Sequence, residues 1–312
     1  MPSHILRMKG GMFHMKRILF RGAATALVTP MYPDGSLDLK AISRLTEWQI
    51  QSGISALVPC GTTGEAATLT EEERFTVIQT VAKTAAGRVP VIAGAGCNDT
   101  ARAEQNCLAA AAAGADALLL VTPYYNKCTP KGLQAHFARL AAATSLPVIL
   151  YNVPSRTGVT IDMESRRELS KNDKIIGLKE AGTDFSLIHQ HLLELGDTLP
   201  LYSGNDDLTL PLMSMGAHGC ISVLSNLLPH STEALCQALL RNDLPAARSL
   251  HYSLLPLMRS LFCEVNPIPV KAAMQLIDFP CGSCRMPLSP MEPDHLALLQ
   301  KHFAMTKQLG LC

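Results

Sequence analysis

The chain has 312 residues, 47% of them hydrophobic and 17% charged, with a formal net charge of +1. That balance excludes an intrinsically disordered chain, and there is no basic tract for nucleic acid or an anionic membrane to select. The length allows one large α/β domain or two ordinary ones, with a sizeable core, and no apolar stretch is long enough to span a bilayer.

The opening stretch, MPSHILRMKGGMFHMKRILFRG, lacks acids and carries several bases. It has no long apolar region and no small-residue cleavage site, so it does not read as a secretory signal, and Ser and Arg are few for a transit segment. We read residues 1–17 as an N-terminal extension, disordered or upstream of a true start at Met15.

Elements then follow in a regular order. A β-type run at Ala24–Val28 precedes a helical pattern at Leu39–Ser52. Ala56–Val58 is followed by Thr70-Glu71-Glu72-Glu73, a candidate capping box, and then by Phe75, Val77, Ile78 and Val81 at helical spacing. Pro90–Ala93 leads to the Ala-rich stretch Thr100–Ala113, closed by Gly114. Ala117–Val121 precedes Leu133–Thr144, and Pro147–Tyr151 precedes Asp162–Ser170. Ile175–Lys179 leads to Phe185–Leu195, Leu199–Ser203 to Leu208–Met215, and Gly219–Val223 to His230–Leu240. The runs are apolar almost throughout, as strands buried on both faces must be. Strand then helix, eight times without a switch point, predicts an α/β fold: a (β/α)8 TIM barrel over residues 18–240 rather than a doubly wound sheet. Residues 241–312 lose the β signal. Ala246–Phe262, Val270–Ile277 and His295–Leu309 read as helices, with Asp278–Pro293 a Pro-, Gly- and Ser-rich link, so this region is a helical appendage to the barrel.

Ten cysteines are scattered, mostly through apolar segments, which suits reduced thiols acting as small hydrophobes in a cytoplasmic protein. Cys281 and Cys284 form one C-x-x-C without the second pair a zinc ribbon needs, and their surroundings do not resemble a thioredoxin turn. His189 and His191, two apart, fall on different helix faces. No metal site is expected.

In a (β/α)8 barrel the chemistry lies at the C-terminal strand ends. Here those ends read TP, CGTTGE, GAGCND, TPYYN, YNVPSRT, KEAGTD, SGNDD and SVLSN. Gly61, Thr62, Thr63 and Gly64 make a loop whose N–H groups and hydroxyls suit a carboxylate or oxyanion. Without the Gly-Lys-Ser/Thr ending it is not a Walker loop, and taken alone it also reads as an ordinary turn. Lys179 closes an apolar strand. Taken alone it also reads as a strand reaching solvent. Placed at the mouth, a lysine held away from water can react as a neutral amine and form a Schiff base with a keto acid. That chemistry needs a proton relay and an anion holder, and Tyr151 with Thr62 and Thr63 fits these roles. Arg156, in a Pro-rigid loop, can hold a carboxylate with two parallel hydrogen bonds. Of the adjacent Tyr124 and Tyr125, one can face the mouth and the other a neighbour. Lys271 is a rival nucleophile, but it follows NPIPV in the helical region, away from the strand ends.

The stretches TALVTPM, GTTGEAATL, VPVIAGAG, VTPYYNK, LPVILYNVPSRTG, IIGLKEA, SGND, GCISV and NPIPVKAAM, in that order over nearly the whole chain, resemble the pyruvate-dependent class I aldolase superfamily. Within it they resemble the dihydrodipicolinate synthase family most, and YNVPSRT is the most specific match. The resemblance implies a lyase in which Lys179 forms a Schiff base with pyruvate. Tyr151, Thr62 and Tyr125 would relay protons, with Tyr125 reaching into a neighbouring subunit's site. Thr63 would hold the pyruvate carboxylate, and Arg156 that of L-aspartate 4-semialdehyde. Gly204 and the Ile221 backbone would line the pocket. The product would be 4-hydroxy-tetrahydrodipicolinate, on the route to diaminopimelate and lysine. No cofactor is implied beyond the covalent adduct, and the assembly implied is a homotetramer of two tight dimers. A keto-acid aldolase or sialic acid lyase would share Lys179 and Tyr151 without needing Arg156, and a catalytically silent barrel used for binding is the remaining alternative. One departure concerns feedback. The positions matching the family's lysine cleft are Ala66, Ala67, Glu71, Arg74, Asn98, Arg102 and Tyr124. Arg102 stands where an acid would meet the ammonium of lysine, so inhibition by lysine is expected to be weak or absent. Cys128 and Lys131 also depart from the family pattern, away from the chemistry.

Overall fold

Apolar runs that do not alternate must be covered on both faces, and the chain covers them by closing a cylinder. The computed structural model describes residues 16–312, so residues 1–15, with Met15 and most of the expected extension, lie outside the described residues. The strands are β1 (Gly22–Ala26), β2 (Ala56–Val58), β3 (Ile92–Gly94), β4 (Ala117–Val121), β5 (Val148–Asn152), β6 (Ile175–Glu180), β7 (Leu201–Ser203) and β8 (Gly219–Ser222). All are parallel, in the order β2-β1-β8-β7-β6-β5-β4-β3. The ends of that row meet through a Leu57–Val91 bridge and two hydrogen bonds, Leu57 N to Pro90 O at 3.0 Å and Gly94 N to Pro59 O at 2.9 Å. Gly94 permits this closure, because a Cβ there would stand 2.0 Å from the Cys60 carbonyl oxygen. The barrel expected from the sequence is thus the one formed.

The helices alternate with the strands: α1 (Leu39–Gln51), α2 (Glu71–Ala85), α3 (Thr100–Ala112), α4 (Pro130–Ala143), α5 (Pro154–Thr157), α6 (Met163–Ser170), α7 (Phe185–Leu195), α8 (Thr209–Ser214) and α9 (Pro229–Leu240). Their starts are written in the sequence. Thr70 and Glu73 form the capping box, and Asp38, Asp99, Asp162 and Asp184 each accept a backbone N–H of the first turn. Helix α4 begins three residues before the apolar pattern because Thr129 caps it and Pro130 sits where no backbone N–H is needed. The one-turn α5, inside YNVPSRT, is absent from the periodicity because four residues carry no helical period. Strand β1 ends at Ala26, two residues early, because the Val28 N–H turns aside to the Asn226 side chain at 3.0 Å.

Two cores result. Ala117 and Leu119 of β4 face the barrel interior, while Leu118 and Leu120 face the helices. Phe20 stacks on Tyr202 with ring centroids 4.3 Å apart and accepts its hydroxyl hydrogen bond at 3.0 Å, filling the barrel's lower end. Lys16 donates to the carbonyls of Asn172 and Ile175 at 2.8 and 2.7 Å, which ties the first described residue to β6. After α9 come α10 (Leu244–Ser260), α11 (Ile268–Met274) and α12 (Pro293–Gln308), with α10 packed on α9 and α12. No helix among the described residues is long and apolar enough to cross a membrane.

Candidate active site

The position of Lys179 depends on a local irregularity. Ile175 belongs to the outer core, and four residues later a regular strand would point the same way. The β5–β6 register shifts, however. Val148 pairs with Ile175, but Ile149 pairs with Gly177, leaving Ile176 as an extra residue. The bulge inverts the alternation, so Lys179 faces the interior beside its register partner Tyr151. The amine lies 4.3 Å from the Tyr151 ring centroid, and Lys179 is 5% exposed. The ring flanks one side of the amine, and Lys179 also lines the cavity described below.

The next residue, Glu180, consequently faces outward. Its carboxylate accepts from Asn152 Nδ2 at 2.7 Å and from the Gly182 N–H at 2.7 Å, and it pairs with the fully buried Arg166. Arg166 Nε donates to the Ile161 carbonyl at 2.8 Å, and the Ile161 N–H donates to Asn152 Oδ1 at 2.9 Å. This network joins the end of β6 to the end of β5 and to the segment that carries Arg156.

A cavity of about 540 Å³ opens above the lysine. Thr62, Thr63, Tyr151, Arg156, Lys179 and Gly204 all contribute to its lining. Thr63 is buried, and its Oγ1 accepts from Asn266 Nδ2 at 3.0 Å. Gly204 lies against the β6 terminus, where a Cβ would be 2.8 Å from that of Ala181. Arg156 is exposed at the rim, in the last turn of α5, with Nη2 donating to the Asn266 carbonyl at 3.3 Å. Ile221 lies in β8 within the inner core, its side chain fully buried and directed into the barrel, and the cavity wall there is Val223 instead. Tyr125 is not in this group. It is 93% exposed, with a φ of 69°, and projects away from its own chain's cavity.

A smaller cavity of about 340 Å³ adjoins the first behind Thr62 and Tyr151 and reaches Ala66, Ala67, Arg74 and Tyr124. Arg74 Nε and Nη2 donate to the Ala66 carbonyl at 3.2 and 2.8 Å. Arg102 lies outside, 3.6 Å from Glu71, with both side chains exposed. Cys60, beside the threonine loop, is buried, and burial pushes its thiol up to about 12, so it is a poor nucleophile at neutral pH. Burial likewise pushes Cys281 up to about 12 and Cys284 to about 11. Among the described residues no group of three or more His, Cys, Asp and Glu side chains is placed to hold a metal ion. His191 is buried on α7 while His189 is exposed, the two faces that their spacing implies.

The helical region is closer to the site than the sequence reading placed it. Phe262, Cys263, Glu264, Val265 and Asn266 form one wall of the main cavity. Lys271 is buried and ion-paired to Glu65, three residues after Thr62, so it lies below the threonine loop and not away from the strand ends. The available signal was charge. Glu65 and Lys271 each stand in small or apolar surroundings, and ionisable groups are seldom buried without a partner.

Fold and site together define a (β/α)8 barrel with a buried, tyrosine-backed lysine at its catalytic face. That is the arrangement of a lysine-centred aldolase. The sequence profile of the Dihydrodipicolinate synthetase family matches residues 19–305, and the chain belongs to that family. A 4-hydroxy-tetrahydrodipicolinate synthase of Exiguobacterium sibiricum is 49% identical over 283 residues, covering 90% of this chain and 97% of its own. Among solved structures, a dihydrodipicolinate synthase from Acinetobacter baumannii complexed with pyruvate superimposes with a TM-score of 0.90 at 39% identity, covering 94% of this chain and 99% of its own. The Cyanidioschyzon merolae enzyme with lysine bound gives 0.91 at 34% identity, covering 95% and 100%.

Proposed function

We propose that this chain is a 4-hydroxy-tetrahydrodipicolinate synthase, a lyase that condenses pyruvate with L-aspartate 4-semialdehyde. The observation that carries the reading is the pairing of Lys179 with Tyr151, the amine 4.3 Å from the ring centroid at the base of a cavity that Thr62, Thr63 and Arg156 also line. The Lys179 amine attacks the pyruvate ketone and expels water to give an iminium. The iminium withdraws electrons, and a methyl proton leaves through Tyr151 and Thr62, producing an enamine. The enamine carbon attacks the aldehyde. The amino group of the second substrate then closes the ring on the iminium carbon and releases the lysine, so the enzyme is regenerated. Thr63 and neighbouring N–H groups hold the pyruvate carboxylate, and Gly204 and Val223 shape the pocket. Arg156 takes the carboxylate of the semialdehyde. The chemistry needs no cofactor beyond the covalent adduct.

Tyr125, with its ring in solvent and no part in its own cavity, completes the relay from a neighbouring copy in a homotetramer of two tight dimers. Residues 18–240 form the catalytic barrel and 241–312 the helical region, and the enzyme works in the cytoplasm on the route to diaminopimelate and lysine.

Borohydride reduction with pyruvate, followed by peptide mass analysis, tests the reading. A reduced adduct on Lys179, together with product formation from the semialdehyde, is expected. No adduct, or an adduct on Lys271 instead, overturns it.

A further inference from the structure

Lys271 takes no part in the chemistry above, yet its amine is bound inside the protein. It is 2% exposed, and its Nζ donates to Glu65 Oε1 at 2.6 Å and to the Ser283 carbonyl at 3.0 Å. The other oxygen of Glu65, Oε2, accepts the Arg285 N–H at 2.8 Å. Helix α11 and the segment after it thus hold both oxygens of a carboxylate that belongs to the loop after β2.

That loop is strained. Cys60 and Glu65, at its two ends, have φ values of 55° and 56°, a left-handed conformation that side-chain-bearing residues rarely adopt. Between them the turn closes through Gly64 N to Gly61 O and Glu65 N to Thr62 O, both at 3.1 Å. Such a backbone persists only where its surroundings over-determine it. Thr29 Oγ1 holds the Gly64 carbonyl at 2.7 Å, and the Glu65 side chain anchors the far end. A buried ion pair adds little net stability over apolar residues of the same volume. Its distinctive contribution here is therefore geometric. With Glu65 fixed, the turn between two strained residues has one way to present Thr62 and Thr63.

We propose that Lys271 is a positioning residue. Acting through Glu65, it sets the turn that aims Thr62 and Thr63 at the pyruvate held by Lys179. The inference rests on the proposed function. It adds that Lys271 and Glu65, which make no contact with Arg156, act on the pyruvate half of the reaction.

The test uses the full chain and the variants Lys271→Met, Glu65→Gln and the double variant, which leaves no buried charge without a partner. Circular dichroism and thermal melting establish that each is folded, and borohydride trapping at saturating pyruvate counts the working sites. Per working site, the KM for pyruvate is expected to rise on the order of tenfold or more, as for other small displacements of reacting groups. The KM for the semialdehyde is expected to stay within about twofold, because the Arg156 contact, to the Asn266 carbonyl, involves neither Glu65 nor Lys271. Folded variants with the wild-type pyruvate KM overturn the inference, even if their melting temperature falls, since lost stability alone is a structural effect. Should the single variants not fold, the double variant decides on the same readout, and its failure to fold also counts against a role confined to positioning. A wild-type enzyme that traps no pyruvate sinks the proposed function instead, so the two failures are distinguishable.

Discussion

Replacing Arg156 with alanine separates the two halves of the proposed reaction. The side chain is exposed at the rim, and its recorded contact is a long 3.3 Å hydrogen bond to the Asn266 carbonyl. Removing it frees a carbonyl of a cavity-lining residue, where water can replace so long a hydrogen bond, so folding stability should change by no more than about 0.5 kcal/mol. Binding is another matter. Hydrogen bonds from a guanidinium to a carboxylate contribute about 1.5–3 kcal/mol each in protected sites and less where water competes. Two such bonds at a wet rim amount to about 2–3 kcal/mol. At 1.4 kcal/mol per decade, that is roughly thirty- to over a hundredfold in kcat/KM for the semialdehyde. The base of the cavity is untouched, so pyruvate should still form its adduct on Lys179 at the wild-type rate. Steady-state kinetics with both substrates varied, beside borohydride trapping with pyruvate alone, measure the two quantities. An equal loss in both would refute the assignment, because it would mean that Arg156 supports the whole site and not one substrate.

Tyr151→Phe keeps the ring beneath the Lys179 amine and deletes only the hydroxyl. Turnover should fall on the order of a hundredfold or more while the melting temperature holds; retained turnover would remove Tyr151 from the relay. Lysine should inhibit weakly or not at all, because Arg102 stands where the family resemblance implies an acid and lies 3.6 Å from Glu71. A rate curve that stays flat through millimolar lysine is the expected result, and steep inhibition would show that another group holds the ammonium. Acid should destabilise the fold through His191. Burial, and secondarily the charge of Arg166, hold its imidazole down at about 3 against 6.5 in the unfolded chain. The unfolded state therefore takes up the proton first, and stability is lost as pH falls below 6.5. Between pH 6.5 and 5 this one group accounts for about 2 kcal/mol. Urea melts of wild type and His191→Gln should show the variant losing that much less over the same interval; parallel losses would contradict the assignment.

Much of the barrel was legible because its determinants are local. Apolar runs without alternation can only be strands covered on both faces, and Thr70 with Glu73 can only mark a helix start where the helix begins. Elements too short to show a period, such as α5, were not legible, and neither was the departure of Val28 toward Asn226, a partner 198 residues later in the chain. The site divides in the same way. The residue types at the strand ends named Lys179, Tyr151, Thr62, Thr63 and Arg156, and the spacing of strand and helix predicted one common mouth. The wall built by Phe262 to Asn266 was hidden, because a chain that leaves the barrel carries no periodic mark of where it returns.

Lys179 shows where the boundary lies. Its place at the end of an apolar strand follows from sequence alone. Its direction does not, since simple alternation from the outward-facing Ile175 turns the lysine toward the helices. The extra residue at Ile176 reverses that phase, and a bulge exists only in the pairing of two strands. The sequence determined which amine is at the catalytic face, and the register between β5 and β6 decided that it points into the cavity beside Tyr151.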